Sequence, residues 1–268
     1  MGNKFTAKKA DKYALYQLAV QSAEQDVDFL VQTYDSIRGK QPLHLREDFC
    51  GTCLMSAYWV ELGEHHTTES YDIDPEPLNW GLENNLKPLG HVGKRVVQYE
   101  EDARTPSRQA PDVRCAQNFS YWVFKQRADM LDYFKGVFSD LADDGIFVCD
   151  LHGGPESIQE MEEETEVGDG DFTYVWDQDS INPITGDAKL QIHFRFPDGT
   201  EMTDAFTYEW RLWGLPELRD IMLEAGFKTV DCYWEGTDDD GESGDGIFTK
   251  TNTGEACLSY VAYLVGTK

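Results

Sequence analysis

The sequence predicts an α/β fold: an open, doubly wound sheet interrupted by an antiparallel insertion. Three observations predict it. Strand-like and helix-like stretches alternate five times across residues 42–154. The stretch "IFVCDLHGG" at 146–154 is apolar on both faces, as a central parallel strand is. Beyond Pro155 the pattern changes to aromatic-rich segments with two-residue alternation, and then returns to helix and strand.

Taken in order, residues 11–38 carry Tyr13, Tyr16, Val20, Ala23, Val27, Leu30, Tyr34 and Ile37 at alternating steps of three and four. That spacing is one face of a helix, or of two consecutive helices, and Gly39 ends it. "PLHLRED" reads as the first strand, and "CLMSAYWVELG" as a helix closed by Gly63. "TTESYDID" is the second strand. "PEPLNWGLENNL" is a helix whose prolines stay in its first turn, where missing N–H groups cost little. "RVVQYEED" and "DVRCAQNFS" are strands three and four, and "RADMLDYFKGVFSDLADDG" is a helix with its stop. "IFVCDLHGG" is the fifth strand.

After Pro155, "ESIQEMEEETEVGDGD" reads as an acidic helix or loop. "FTYVWDQ", "AKLQIHFRF" and "MTDAFTYEWRLW" alternate as strands, and the Asp-Gly of "FPDGTEM" pairs the last two as a hairpin. "LPELRDIMLEAGF" returns to helix, with Pro216 near its start and Gly226 at its end. "KTVDCYWEG" and "CLSYVAYLVG" complete a seven-stranded sheet and are joined by the acidic turn "TDDDGESGDG". The expected organisation is a helical cap at 1–40, a sheet domain at 41–154 and 206–268, and a β-rich insertion at 155–205.

Composition bounds the function. At 268 residues and 40% hydrophobic, the chain can bury one large core. No stretch reaches the ~18 apolar residues of a membrane span. The lysines of "MGNKFTAKKADKY" precede no apolar run, so no secretory signal is read there. Gly2 with Thr6 makes a formal N-acylation pattern, short enough to arise by chance. Six scattered cysteines suit a reduced, cytoplasmic chain better than a disulfide scaffold. A net charge of −27 opposes tight, non-specific binding of nucleic acid. The acidic surface reads either as a solvated shell or as adaptation to a saline cytoplasm, and composition does not separate the two.

The chemistry concentrates at strand ends. "LREDFCGTC" (45–53) lies where strand one hands over to its helix, the ligand-binding edge of an open α/β sheet. Glu47 supplies a carboxylate there, and Gly51 lets the backbone approach a ligand. Asp72 ends strand two about 20 residues after Gly51, the spacing of an acid that accepts ribose hydroxyls. Asp102 ends strand three and suits an adenine amino group. Three acids in this arrangement accommodate a cationic cofactor better than a diphosphate. Other readings stand beside it. Cys50-x-x-Cys53 between strand and helix is also the placement of a redox dithiol, although Glu47 and Asp48 raise thiol pKa values there. A zinc site lacks a second cysteine pair, and His65-His66 lie in a polar turn, so no metal is expected. In "TDDDGESGDG", counting Gly241 as the sixth loop position puts Ile247 where a calcium loop needs Glu.

These motifs resemble those of the class I, Rossmann-like S-adenosylmethionine-dependent methyltransferases. "LREDFCGTCLMS" resembles their first motif, "YDIDPEPL" their second, "EEDAR" their third, "LADDGIFVCDLHGG" their fifth strand and "LPELRDIMLEAGF" their penultimate helix. The resemblance spans about 41–154 and 206–268 and implies the Rossmann-like fold, the cofactor S-adenosylmethionine and the product S-adenosylhomocysteine. It implies cofactor contacts from Glu47, Phe49, Cys50, Gly51 and Thr52 at the loop, Asp72 and Ile73 at the ribose, and Asp102 and Ala103 at the adenine. Asn118 at the tip of strand four, and Tyr16 from a closing N-terminal helix, complete the set. Phe49 and Cys53 depart from the family by standing where it has glycines, and Phe49 could narrow the approach to the methionine moiety. Asn118-x-x-Tyr121 resembles the Asn-Pro-Pro-Tyr motif of amino-group methyltransferases without its prolines. The alternative is that Phe119 and Trp122 pack under helix 127–141.

The expected activity is methyl transfer to a small-molecule acceptor by in-line displacement, in which alignment supplies much of the rate. Asn118, Tyr121, Asp150 and His152 are catalytic candidates by position, and Tyr121, Trp122 and Arg211 are candidates at the acceptor. Trp176, His193, Tyr208, Trp210, Arg211 and Trp213 form either an aromatic lid or the core of their own hairpin. The rivals are a thiol-disulfide oxidoreductase using Cys50 and Cys53, and a non-catalytic module that binds S-adenosylmethionine. No membrane or nucleic-acid partner is expected, and the sequence leaves monomer and homodimer open.

Overall fold

Asp11 accepts N–H bonds from Tyr13 and Ala14 at 3.0 Å and starts helix α1, Lys12–Ala19. The chain breaks at Val20 and restarts as α2, Ala23–Arg38. This is a computed structural model, and it describes residues 5–237 and 244–268. Gly2 of the acylation pattern and residues 238–243 of the acidic, calcium-like turn lie outside the described residues. Two compact units emerge: Ala23–Gly154 with Trp213–Lys268, and the chain up to Ser22 with Pro155–Leu212. The expected cap at 1–40 is therefore divided, because α2 lays Val27, Leu30 and Tyr34 into the core of the sheet unit while Leu15 of α1 joins the core of the insertion.

The sheet unit follows the expected alternation: β1 (His44–Asp48), α3 (Leu54–Glu61), β2 (Thr67–Asp72), α4 (Pro75–Gly81), β3 (Val96–Glu100), β4 (Val113–Ala116), α5 (Arg127–Asp140) and β5 (Ile146–Gly153). Asp74 caps α4, with Pro75 in its first turn. Strands β1 to β5 are parallel in the order β3-β2-β1-β4-β5. The order reverses between β1 and β4, and the carboxyl ends of those two strands are where open α/β sheets bind ligands.

The insertion unit is a four-stranded antiparallel sheet in sequence order: β6 (Met161–Val167), β7 (Phe172–Ile181), β8 (Asp187–Arg195) and β9 (Glu201–Arg211). β6 corrects the expected acidic helix or loop. It is an exposed edge strand, with Glu162 2.8 Å from Arg195 and Glu164 paired to the same guanidinium. Charges on such an edge prevent further pairing, which is why the acid run conceals a strand. β9 continues to Arg211, so the insertion extends beyond the expected limit at 205. The β8–β9 hairpin forms as expected, with Gly199 at φ +79° in its turn.

The chain then returns through α6 (Leu215–Ala225), β10 (Thr229–Thr237), β11 (Gly244–Thr251) and β12 (Tyr260–Thr267). The complete sheet is β11-β10-β12-β5-β4-β1-β2-β3, one strand more than the seven read from the sequence. The addition, β11, is an antiparallel edge strand that is mostly exposed, so no burial pattern announces it.

Candidate functional site

The turn from β1 into α3 has the shape of a glycine loop built largely without glycine. Phe49, Gly51 and Cys53 take φ of 56°, 50° and 55°. Left-handed backbone is costly for side-chain-bearing residues, so its repetition marks a turn held for a purpose. Cys53 N–H donates to Cys50 C=O at 2.8 Å and tightens the bend. A Cβ at Gly81 of α4 would lie 2.1 Å from the Thr52 carbonyl oxygen, so only glycine allows α4 to seat against the loop.

Asp72, at the end of β2, reaches this loop. Its Oδ2 accepts the Gly51 N–H at 2.8 Å and its Oδ1 accepts the Asp74 N–H at 2.9 Å. Burial raises its carboxyl pKa, against these stabilising bonds. Ile73 beside it is exposed. Glu47 takes a different part from that expected. It is buried, and its Oε2 accepts both the backbone N–H (3.1 Å) and the hydroxyl (2.5 Å) of Ser56 in α3. It therefore pins the helix behind the loop, and burial pushes its carboxyl up to about 8.

The cysteines are buried, and their sulfurs lie 3.4 Å apart. Burial and the neighbouring thiol drive the Cys50 thiol well above its ordinary value. An attacking thiolate needs the reverse environment. The ring of Phe49 points toward Phe124 (5.9 Å) and Tyr133 (6.1 Å) and forms one wall with them.

The third acid, Asp102, is chelated by its own loop. Its Oδ1 accepts the backbone N–H and Nε–H of Arg104, and its Oδ2 accepts the Arg104 Nη2–H at 2.7 Å. That side-chain pairing holds its pKa below the usual carboxylate range. The next residue, Ala103, is buried, and its carbonyl accepts from Arg46 at 2.8 Å and Arg114 at 2.6 Å.

The fourth strand ends in a second left-handed pair, Asn118 at 56° and Phe119 at 58°. Four of the five non-glycine residues with positive φ among the described residues thus lie at the tips of β1 and β4. Asp150 holds the second tip, accepting the N–H groups of Asn118 (2.7 Å) and Phe119 (3.0 Å). Burial pushes its carboxyl up to about 7, and with both oxygens engaged it serves as a strut. Tyr121 and Trp122, expected at the acceptor, are instead buried. The Tyr121 hydroxyl donates to the Asp150 carbonyl at 2.7 Å, and Trp122 packs on His152 at 4.9 Å between ring centres. Phe119 joins the same cluster, 4.7 Å from His152. Burial pushes the His152 imidazole down to about 4, so it is neutral and a weak base near pH 7.

Gln117 precedes this pair. Strand alternation, with Glu47 in register with Cys115, puts Gln117 on the same face as those two residues. It is buried, and neither end of its amide has a hydrogen-bonding partner among the described residues. A buried donor–acceptor pair of this kind calls for a ligand or water.

Tyr16 and Arg211 fall in the insertion unit. There the Tyr16 ring packs 5.0 Å from Phe206, and Arg211 ends β9. Trp176, Tyr208 and Trp210 stack along their own sheet, with Tyr208 4.3 Å from Trp210. His193 accepts the Asp204 N–H at 2.8 Å, while Trp213 belongs to the sheet unit. The hairpin-core alternative describes the insertion's own members of this set. Among the described residues no group of His, Cys, Asp and Glu is arranged to hold a metal. Sequence reasoning missed Gln117, Arg46 and Arg114. The arginines left a signal, since each is a charged residue within a strand that is buried throughout.

No family model matches the chain, and no curated protein matches it in sequence. Solved structures do match in fold. An S-adenosylmethionine-dependent methyltransferase from Clostridium acetobutylicum superposes with a TM-score of 0.68 at 15% identity, over 95% of this chain and 96% of that one. An amino pentose methyltransferase from Micromonospora echinaspora gives 0.67 at 14%, over 100% and 98%. A sugar N-methyltransferase from a Streptoalloteichus species gives 0.61 at 14%, over 100% and 95%. The chain has a methyltransferase fold. At these strand tips the Asp72 and Asp102 carboxylates can accept hydrogen bonds, and the orphaned Gln117 amide can both donate and accept.

Proposed function

We propose that the chain is an S-adenosylmethionine-dependent methyltransferase acting on a small-molecule acceptor. The reading rests foremost on one observation. The carboxylate of Asp72 meets the Gly51 N–H at 2.8 Å inside a left-handed turn, at the switch point of the sheet. Bound there, the cofactor would supply an already activated methyl group. The protein's work is then placement. Asp72 receives the ribose, Asp102 and Ala103 receive the adenine, and Gln117 receives the methionine end. Phe119, Asn118 and their Asp150 strut shape the approach of the acceptor. His152, held neutral, accepts a hydrogen bond more readily than a proton.

Burial of Cys50 and Cys53 argues against thiol-disulfide chemistry, which needs an accessible thiolate. The described cysteines are all unpaired, which suits a reducing, cytoplasmic setting. No described helix is long and apolar enough to cross a membrane.

Calorimetric titration with S-adenosylmethionine and S-adenosylhomocysteine tests the reading. Wild type should bind both. Asp72→Ala, which removes two charge-assisted bonds to the ribose, should weaken binding by about a hundredfold or more. Folded wild-type protein that gives no binding heat with either compound overturns the assignment.

A further inference from the structure

Beneath the loop that follows β3 lies a buried ionic network that neither catalysis nor stability explains. Arg46 of β1 and Arg114 of β4 stand side by side in register. Arg46 is 0% exposed and Arg114 1%. Asp48 lies between them, with Oδ1 accepting from Arg46 Nε at 2.8 Å and Oδ2 from Arg114 Nε at 2.7 Å. The Tyr133 hydroxyl donates to the same carboxylate at 2.8 Å. Asp140, at the end of α5, accepts from Arg114 at 3.1 Å and from the Ser107 N–H at 2.8 Å. The outer nitrogens of both guanidiniums converge on one atom, the carbonyl oxygen of Ala103. Arg46 also donates to Ser107 Oγ at 2.8 Å, and Glu69 accepts the Arg108 N–H at 2.9 Å.

Two arginines and two aspartates cancel in charge, so the network is neutral. Taking Arg46, Arg114 and Asp48 out of water, with Asp140 largely covered, is nevertheless costly, and well-packed apolar residues commonly do as well or better for stability. What apolar residues cannot do is fix a peptide plane. Two rigid forks aimed at the Ala103 oxygen hold the backbone immediately after Asp102, and Ser107 and Arg108 fix the far end of the same loop.

We infer that Arg46, Arg114 and Asp48 are positioning residues that set the selectivity of the Asp102–Ala103 loop for adenine over a purine carrying a 6-oxo group. The inference rests on the proposed function above. An adenine edge presents an amino donor beside a ring acceptor, which matches a carboxylate beside a backbone N–H. Hypoxanthine reverses both polarities, setting its 6-oxo group against the Asp102 carboxylate and its ring N–H against a backbone N–H. A loop held rigidly rejects the reversed edge, whereas a loose one adapts to it.

The test is calorimetric binding of S-adenosylhomocysteine and S-inosylhomocysteine to wild type, Arg114→Lys and Ser107→Ala, with thermal melting to confirm folding. Arg114→Lys keeps the charge but cannot reach Asp48, Asp140 and the Ala103 carbonyl together. Wild type should prefer the adenosyl compound by at least about a hundredfold. Arg114→Lys should lose about tenfold in affinity for that compound alone, so that the preference collapses. Ser107→Ala, milder and partly exposed, should show a smaller fall of the same ratio, and it carries the test if the lysine variant fails to fold. Failure of wild type to bind either compound refutes the proposed function. Wild-type preference that survives unchanged in the folded variants, or equal losses for both ligands, overturns the positioning role.

Discussion

Glu47→Gln should make the protein's stability markedly less sensitive to alkaline pH. Glu47 is walled in beneath the turn from β1 into α3, with its Oε2 on Ser56 and its carboxyl pushed by burial from an ordinary 4.5 to about 8. A carboxyl raised in the folded state stabilises fully below its unfolded pKa. That contribution is lost as the pH climbs through the folded value. At about 1.4 kcal/mol per pH unit of difference, Glu47 costs the folded state about 3 kcal/mol near neutrality, where it stays protonated while the unfolded chain ionises, and about 5 kcal/mol well above pH 8, where it is ionised in both. Glutamine keeps the length and an oxygen for Ser56, and it never ionises. Its extra N–H group could cost about 1 kcal/mol if unsatisfied, but that cost does not vary with pH. Urea denaturation of both proteins between pH 5 and pH 9 isolates the effect, because every other titrating group is common to the two curves. The difference in unfolding free energy should swing by about 4 kcal/mol toward the variant as the pH rises. Parallel curves would refute the burial argument.

The remaining predictions concern the ligand. Gln117→Leu should weaken S-adenosylhomocysteine about tenfold or more by calorimetry while leaving 5′-methylthioadenosine, which lacks the amino-acid end, unchanged. Removing a buried, unpartnered amide should meanwhile leave the ligand-free protein as stable as wild type or more so; equal effects on the two ligands would exclude a methionine-end role. The double variant Cys50→Ala, Cys53→Ala should bind S-adenosylhomocysteine within about threefold of wild type, since neither buried thiol is placed as a reactive group. A large loss of turnover with intact binding would revive the dithiol reading.

Much of this was legible because parallel strands are buried on both faces and leave apolar runs. "IFVCDLHGG" and the prolines at the start of α4 announced their elements directly. The strands that escaped notice, β6 and β11, are edges with exposed charged or polar residues, where backbone pairing needs no apolar pattern. At the site, the acids at strand ends could be read from spacing, but their partners could not. Nothing in the order of residues says that Glu47 faces Ser56, or that Asp102 turns back on Arg104. Tyr121 carried a motif-like spacing from Asn118, yet the fold draws it and Trp122 inward, past the left-handed pair at 118 and 119.

That left-handed pair and the missing glycines have a common physical basis. Each left-handed residue bearing a side chain costs about 1–2 kcal/mol, a substantial fraction of a typical net stability of about 5–15 kcal/mol. Phe49 and Cys53 incur that cost where a glycine would not, so each must be offset by what its side chain touches. Cys53 is buried against Cys50 and accepts from Gln98 at 3.3 Å. Phe49 meets Phe124 and Tyr133, and the hydroxyl of Tyr133 enters the Asp48 network that ends on the Ala103 carbonyl. A chain of contacts therefore runs from the first strand tip through α5 to the loop of the third acid. With glycine at 49 that chain would be cut at its origin. The larger residue converts a turn that only needs to bend into one mechanically joined to the loop that follows β3.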